Sequence, residues 1–204
     1  VAVFGTSVPA QAASKAPKSL SVKVTTKTVD IKGKSKISVK SVKPANASKA
    51  VTYKSSNKKI ATVSSKGVVT GKKAGKVNIT VTSKKNKKVK KVVKITVKNL
   101  KPSNVKVSAA KATVVVGKTN TLKATVKPAG VYCPVKWTSS NKTVATVSSN
   151  GKVTAKKAGT ATITVKATQK NSKGKYLSTT CKVTVVDKTP ASVSKQQVYV
   201  SPEW

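Results

Sequence analysis

The chain has 204 residues, of which 43 are basic and 3 acidic, so its formal net charge is +40. Every basic residue is a lysine, histidine is absent, and the acids are Asp30, Asp187 and Glu203. This composition lacks the side chains for paired-carboxylate catalysis, for Ser–His–Asp or Cys–His nucleophilic sites, and for carboxylate or imidazole metal sites. We therefore expect no enzyme activity, cofactor or metal site within these residues.

The chain begins with an apolar stretch followed by small residues. Residues 1–13 end in Ala10-Gln11-Ala12-Ala13, which fits the end of a secretory signal peptide with an A-x-A cleavage site. A disordered leader rich in alanine and serine is the alternative. No run reaches the roughly 20 apolar residues of a membrane span. We expect an exported protein, secreted or at the cell surface, without a transmembrane segment.

The middle of the chain contains an internal repeat. The segment Val51–Val81 aligns without a gap on Val135–Val165, and 20 of the 31 positions are identical. Lys43-Pro44 and Lys127-Pro128 match in the same alignment. Two copies of a unit this long indicate two small domains, because a solenoid needs shorter units and at least three of them.

Each copy shows the period-2 alternation of β-strands. Val77, Ile79 and Val81 alternate with polar residues, and glycine-containing turns such as Ala74-Gly75 separate such runs. The pattern predicts an all-β chain of two tandem antiparallel β-sandwiches. We place the first domain at residues 18–98, a linker at 99–104 and the second domain at 105–187. A second linker and the start of a further domain follow at 188–204.

The repeated motif W/Y-x-S-S-N-x-x-x-A-T-V-x-x-x-G-x-V-T-x-x-x-x-G-x-x-x-I-T-V resembles the bacterial immunoglobulin-like domain, group 2. The first copy carries it at Tyr53, Ser55, Ser56, Asn57, Ala61, Val63, Gly67, Val69, Gly75, Ile79 and Val81. The second carries it at Trp137, Ser139, Ser140, Asn141, Ala145, Val147, Gly151, Val153, Gly159, Ile163 and Val165. The resemblance implies tandem immunoglobulin-like sandwiches that serve adhesion, spacing or carbohydrate binding at a cell surface, with no shared catalytic residues.

Several repeated positions have a structural interpretation. Tyr53 and Trp137 occupy the same place in the two copies, and a single large aromatic residue there is expected to fill the core. An exposed platform for stacking a sugar is the alternative. The glycines at 67, 75, 151 and 159 are expected to adopt turn conformations with positive φ.

The two cysteines, Cys133 and Cys181, both lie in the second copy. An even number of cysteines in an exported protein favours a disulfide between them. Two free thiols are the alternative. The first copy has no cysteine, so the fold itself does not require the bond.

The lysines are the main candidates for binding. The densest run contributes Lys84, Lys85, Lys87, Lys88, Lys90 and Lys91, and the matching region of the second copy contributes Lys170, Lys173 and Lys175. Both runs lie between predicted strands. Three acids cannot compensate 43 lysines, so a positive potential should attract anionic wall polymers, acidic glycans or anionic head groups. Sequence-specific nucleic-acid binding is not expected, because arginine and interleaved aromatic residues are missing.

Two functions remain open at this stage. The first is a non-catalytic exported module, structural or adhesive, with a lysine-rich surface suited to anionic polymers. The second is an N-terminal appendage of a secreted enzyme. Val200–Trp204 resembles the opening of rhodanese-type sulfurtransferase domains over five residues, and the catalytic domain would then lie beyond residue 204.

Overall fold

The computed structural model describes residues 14–188 and the backbone of residues 199–201. The segment interpreted as a signal-peptide remnant, 1–13, lies outside these residues. In the described part of the chain all regular secondary structure is β-strand. This confirms the predicted all-β class, and it follows from a composition rich in β-branched residues that suit a pleated surface.

The chain divides into two compact units. The first comprises the residues up to Lys27 together with Ser35–Val97. The second comprises Thr28–Lys34 and the residues from Lys98 onward. The segment Thr28–Lys34, which carries the short strand β2 (Thr28–Val29), is thus grouped with the second unit although it precedes the second sequence repeat.

The first unit contains seven strands in two sheets. They are β1 (Ser19–Val24), β3 (Lys34–Lys43), β4 (Val51–Ser55), β5 (Ala61–Val63), β6 (Val68–Gly71), β7 (Gly75–Ser83) and β8 (Lys90–Val97). One sheet has the order β1-β3-β6-β5, and in the other β7 pairs antiparallel with both β4 and β8.

Among the described residues the second unit contains, besides β2, ten strands in three sheets. Its strands are β9 (Asn104–Val107), β10 (Lys111–Val115), β11 (Thr119–Thr121), β12 (Ala124–Lys127), β13 (Val135–Ser139), β14 (Ala145–Val147), β15 (Lys152–Ala155), β16 (Gly159–Lys170), β17 (Tyr176–Val186) and β18 (Tyr199–Ser201). The largest sheet has the order β13-β16-β17-β10-β18, with β10 parallel to β17. The others are β11-β15-β14 and β12-β9.

Alternating burial builds the interior of each unit. In β16 the buried positions are Ala161, Ile163, Val165 and Ala167, and the residues between them face outward. In the second unit one continuous apolar cluster joins residues of β9, β13, β14, β15, β16 and β17, so side chains of all three sheets meet in a single core. The two tandem immunoglobulin-like sandwiches predicted from the repeat are confirmed.

The repeated aromatic and glycine positions adopt their predicted roles. Trp137 is buried in the core at 9% exposure, whereas Tyr53 is half-buried and its hydroxyl donates a hydrogen bond to the Ile37 carbonyl at 3.1 Å. Desolvation by burial raises the pKa of Tyr53. All four glycines have positive φ, with values of 82° at Gly67 and 83° at Gly151.

The repeats differ in one hairpin. Ile79 and Ile163 are equivalent in the two copies, and Ile79 of β7 pairs with Val93 of β8. The residue equivalent to Val93 is Leu177, yet Ile163 pairs with Cys181, which lies farther along β17. The β16–β17 hairpin is therefore four residues longer than the β7–β8 hairpin, and its pairing is irregular between Lys166 and Lys170.

Candidate functional site: lysine-rich hairpins

The first lysine run forms the connection between β7 and β8, at residues 84–89, and continues into β8. Asn86 fixes this loop through four hydrogen bonds, one of which its backbone carbonyl accepts from the Val89 N–H at 2.9 Å. Its backbone N–H donates to the Ser83 hydroxyl at 3.1 Å, its Oδ1 accepts the Lys88 N–H at 3.2 Å, and its Nδ2 donates to the Pro17 carbonyl at 2.9 Å. A loop held by its own asparagine presents the neighbouring side chains to solvent.

The six lysines of this hairpin are all exposed. Lys84, Lys85, Lys87 and Lys88 lie in the loop, and Lys90 and Lys91 begin β8. These six ammonium groups are close together in the chain, so this hairpin has a high local density of positive charge. Positive charge of this kind attracts anions in general, and salt screens the attraction.

The second lysine run lies at the tip of the β16–β17 hairpin. Asn171 organises the turn: its Oδ1 accepts the N–H groups of Lys173 at 3.0 Å and Lys175 at 2.9 Å. Gly174, with φ of 77°, closes it. The side chains of Lys170, Lys173 and Lys175 are exposed. In both hairpins, which differ in length, an asparagine therefore holds the loop through hydrogen bonds to backbone N–H groups.

Carboxylates cannot neutralise these lysines. Within residues 14–188 the acids are Asp30 and Asp187, against 42 lysines. Asp30 is itself buried, and its two carboxylate oxygens accept backbone N–H groups, that of Leu100 at 3.1 Å and that of Tyr132 at 3.0 Å. Most of the positive charge is therefore uncompensated within the part of the chain that the structure describes.

The predicted disulfide between Cys133 and Cys181 is not formed, and both residues are free thiols in the structure. Val135 of β13 pairs with Ala167 of β16, whereas Cys181 pairs with Ile163. Cys133 therefore lies about six residues from Cys181 along the sheet, or roughly 20 Å at about 3.3 Å per residue. A disulfide needs Cα atoms about 4.4–6.8 Å apart, so the register excludes it.

The thiols of Cys133 and Cys181 lie in different environments. Cys181 is fully enclosed by the second core, and this desolvation raises its pKa to about 11. Cys133 is half-buried at the margin of the same core. Among the described residues no group of three or more His, Cys, Asp or Glu side chains could hold a metal ion.

No motif in the sequence marks Asp30, Tyr132 or Tyr176 as a candidate site residue. The tyrosines have 38% and 48% exposure and line one groove of the second unit. The alignment of the two repeats could have pointed to these tyrosines. Tyr132 aligns with Ser48 of the first repeat, and Tyr176 lies in the hairpin that is longer in the second repeat. Over the described residues, no helix of a length and hydropathy suited to crossing a membrane occurs.

Comparison with known proteins identifies the repeats. A family model described as "Bacterial Ig-like domain (group 2)" matches residues 17–93 and again residues 103–179. Kappa-carrageenase of Pseudoalteromonas carrageenovora is 51% identical over 69 residues, which are 33% of this chain and 17% of that protein. An uncharacterized protein of Clostridium acetobutylicum is 40% identical over 77 residues, or 37% of this chain and 18% of that protein. The chain therefore matches less than a fifth of either relative.

Among the solved structures to which this chain shows some similarity is the S-layer protein rSbsC(31-844). It is 21% identical to this chain with a TM-score of 0.39, over 85% of this chain and 29% of that chain. The resemblance of Val200–Trp204 to a rhodanese opening stays a prediction, since residues 202–204 lie outside the described part of the chain.

Proposed function

We propose that this chain, which belongs to the bacterial Ig-like domain family (group 2), is a non-catalytic exported module that attaches to anionic polymers at a cell surface. Membership supports a structural or adhesive role. The observation that supports the ligand class is the exposed lysine cluster of the β7–β8 hairpin, with six lysines in eight residues and no acid among them.

The electrostatic argument favours polymers over small anions. Exposed charge pairs each contribute little, about 0–1 kcal/mol. A polymer that engages several lysines at once sums these contributions and releases counterions, so binding becomes useful only through multiple contacts. Wall polymers and acidic glycans have the required repeating negative charge.

The test is retention on immobilised dextran sulfate across a series of NaCl concentrations. We expect the wild-type protein to bind at low salt and to elute at high salt. Changing Lys84, Lys85, Lys87 and Lys88 together to glutamine should lower the eluting salt concentration and flatten the salt dependence, because four clustered contacts are lost.

A matched control separates the hairpin from total charge. Lys58, Lys59, Lys72 and Lys73 are also exposed, and their change to glutamine alters the net charge by the same amount. The control variant should elute at a higher salt concentration than the hairpin variant. Equal elution of the two variants would overturn the hairpin as the site, and absence of retention at low salt would overturn polyanion binding.

A second candidate function is an appendage of a larger secreted enzyme. The observation that favours it is the match to kappa-carrageenase, an enzyme of which this domain type covers a small part. In that case the module holds the enzyme near an anionic polymer, and the catalytic residues lie outside this sequence. Determining the full-length coding sequence tests it: a further catalytic domain supports the appendage, and a chain of Ig-like copies alone contradicts it.

A further inference from the structure

The second unit contains a groove of about 630 Å³ whose lining combines aromatic and basic side chains. Among its lining residues are Asp30, Lys32, Tyr132, Thr168, Lys170 and Tyr176, all of which belong to the second unit. This volume falls within the usual range for sites that bind small molecules or short polymer segments, about 300–1,000 Å³.

Lysine side chains converge on the tyrosine rings of this groove. The Lys166 and Lys170 nitrogens lie 5.4 and 5.5 Å from the centre of the Tyr176 ring, so two ammonium groups share one ring. The Lys32 nitrogen lies 5.7 Å from the centre of the Tyr132 ring. Cation–π attraction therefore gathers three ammonium groups around two exposed rings.

The carboxylate in the lining offsets only part of this charge, because Asp30 carries one negative charge against three ammonium groups. Asp30 is buried, and both of its oxygens already accept backbone N–H groups, one of them from Tyr132 itself. Asp30 thus fixes the loop that carries Tyr132. The lysines remain available to an anion that enters the groove.

The fold does not require either tyrosine. The first repeat builds the same sandwich with Ser48 opposite Tyr132 and with a hairpin four residues shorter than the one that carries Tyr176. Four aromatic residues have described side chains. Trp137 and Tyr53 pack against the glycines of the repeated turns, whereas Tyr132 and Tyr176 are exposed. Because the sandwich folds without these two exposed aromatic rings, the rings indicate a binding role.

We propose that this groove binds a segment of an acidic polysaccharide, whose sugar rings pack on Tyr132 and Tyr176 and whose sulfate or carboxylate groups pair with Lys32, Lys166 and Lys170. The inference rests on the proposed attachment to anionic polymers and narrows it to polymers made of sugars. An aromatic face offers apolar contact to the C–H groups of a pyranose, and the adjacent ammonium groups supply the charge selectivity.

The test compares three probes of different chemistry by isothermal titration at fixed ionic strength. Dextran sulfate carries both sugar and charge, polyphosphate carries charge alone, and neutral dextran carries sugar alone. The tested variant combines Tyr132→Ser, which is the residue of the first repeat, with Tyr176→Ser. Retained Trp137 fluorescence and circular dichroism verify that the second unit is folded.

We expect the double variant to bind dextran sulfate about tenfold more weakly, as loss of two aromatic contacts implies, and polyphosphate with unchanged affinity. A second variant, Lys166→Gln with Lys170→Gln, should reduce the salt dependence of dextran sulfate binding. The hairpin variant, with Lys84, Lys85, Lys87 and Lys88 changed to glutamine, should weaken binding of both polyanions alike.

Unchanged dextran sulfate affinity in the tyrosine variant would overturn the groove while leaving polyanion attachment in place. An equal loss for polyphosphate would also overturn it, because sugar contacts would then contribute nothing. Wild-type binding of neutral dextran as tight as that of dextran sulfate would overturn the role of the lysines. Failure of the wild-type protein to bind either polyanion would overturn the proposed function as well.

Discussion

At the scale of single residues, two glycines of the second unit share a backbone conformation but differ in surroundings. Gly151 has φ of 83°, and a Cβ there would lie 2.3 Å from the Leu122 carbonyl oxygen and 3.0 Å from the Trp137 ring. Gly117 has φ of 82°, and a Cβ there would meet nothing within 4 Å. Both substitutions to alanine impose left-handed strain, but only one also forces backbone atoms apart.

We predict that Gly151→Ala lowers the free energy of unfolding by about 3 kcal/mol or more, and that Gly117→Ala lowers it by about 1 kcal/mol. The difference between the two losses in unfolding free energy measures the steric clash at Gly151 alone, because both alanines bear the same cost of a positive φ. Urea denaturation followed by Trp137 fluorescence, in a Trp204→Phe background, measures it. Equal losses in the two variants would show that the turn at Gly151 relaxes without cost.

The cysteines permit a prediction about reactivity. Burial raises the pKa of Cys181 to about 11 from the ordinary 9.0, so its thiolate fraction at pH 8 falls roughly 100-fold. We predict that the native protein shows one thiol, Cys133, that reacts rapidly with a disulfide reagent, and a second that reacts only after unfolding. A Cys133→Ser variant identifies the fast thiol. Absence of any free thiol after denaturation would show that the two are bonded.

The same shift has a defined effect on stability. Folding raises the pKa of the Cys181 thiol, so this thiol contributes to the free energy of unfolding. The contribution is fully present below about pH 9 and is lost as the pH rises through about 11. The difference in unfolding free energy between wild type and Cys181→Ala should therefore diminish over that range. A difference that grows with pH would contradict the burial of a neutral thiol.

At the scale of elements, Asn171 holds the β16–β17 hairpin by accepting two backbone N–H groups. We predict that Asn171→Ala speeds amide hydrogen exchange at Lys173 and Lys175 by about fivefold, since each lost hydrogen bond costs about 1 kcal/mol. Asn171→Asp retains the accepting oxygen and should exchange close to the wild-type rate. Equal protection in the alanine variant would place the stability of the turn in Gly174 instead.

The strands were predictable from sequence, and the reason is local. Val77, Ile79 and Val81 lie on one face of β7 because the side-chain period of a strand is two. The same period recurs in the second repeat, so the equivalent strands could be predicted there as well. The turns were predictable for a similar reason, since Gly67 and Gly151 occupy backbone conformations that other residues adopt only with strain.

What sequence could not show depends on register and on contacts between distant residues. The spacing of Cys133 and Cys181 along the chain is compatible with a disulfide, and only the pairing of β13, β16 and β17 places them far apart. Asp30 contacts the backbone of Leu100 and Tyr132, 70 and 102 positions away, and no local pattern marks such contacts. The tyrosine groove was missed for the same reason.

At the scale of the whole molecule, the net charge of +40 is a cost to the folded state. Like charges repel more strongly when the chain is compact, and salt screens this repulsion over a Debye length that falls from about 30 Å at 0.01 M to about 3 Å at 1 M. We predict that Tm rises with NaCl concentration, opposite to the behaviour of a protein stabilised by surface ion pairs.

Circular dichroism melts over a series from low to high NaCl concentration measure this. A Tm that falls as NaCl is added would show that repulsion among the lysines contributes nothing to the unfolding free energy.

The grouping of Thr28–Lys34 with the second unit means that the unit copied in the gene and the unit that packs together are not the same piece of chain. A recombination event that joined this second repeat to a foreign neighbour at residues 99–104 would replace Asp30 with whatever residue that neighbour carries, and only a residue with a similarly placed acceptor would serve. With any other residue, the Tyr132 and Leu100 amides would lose their acceptor. Shuffling of such repeats is therefore constrained by a short segment that is inherited from upstream.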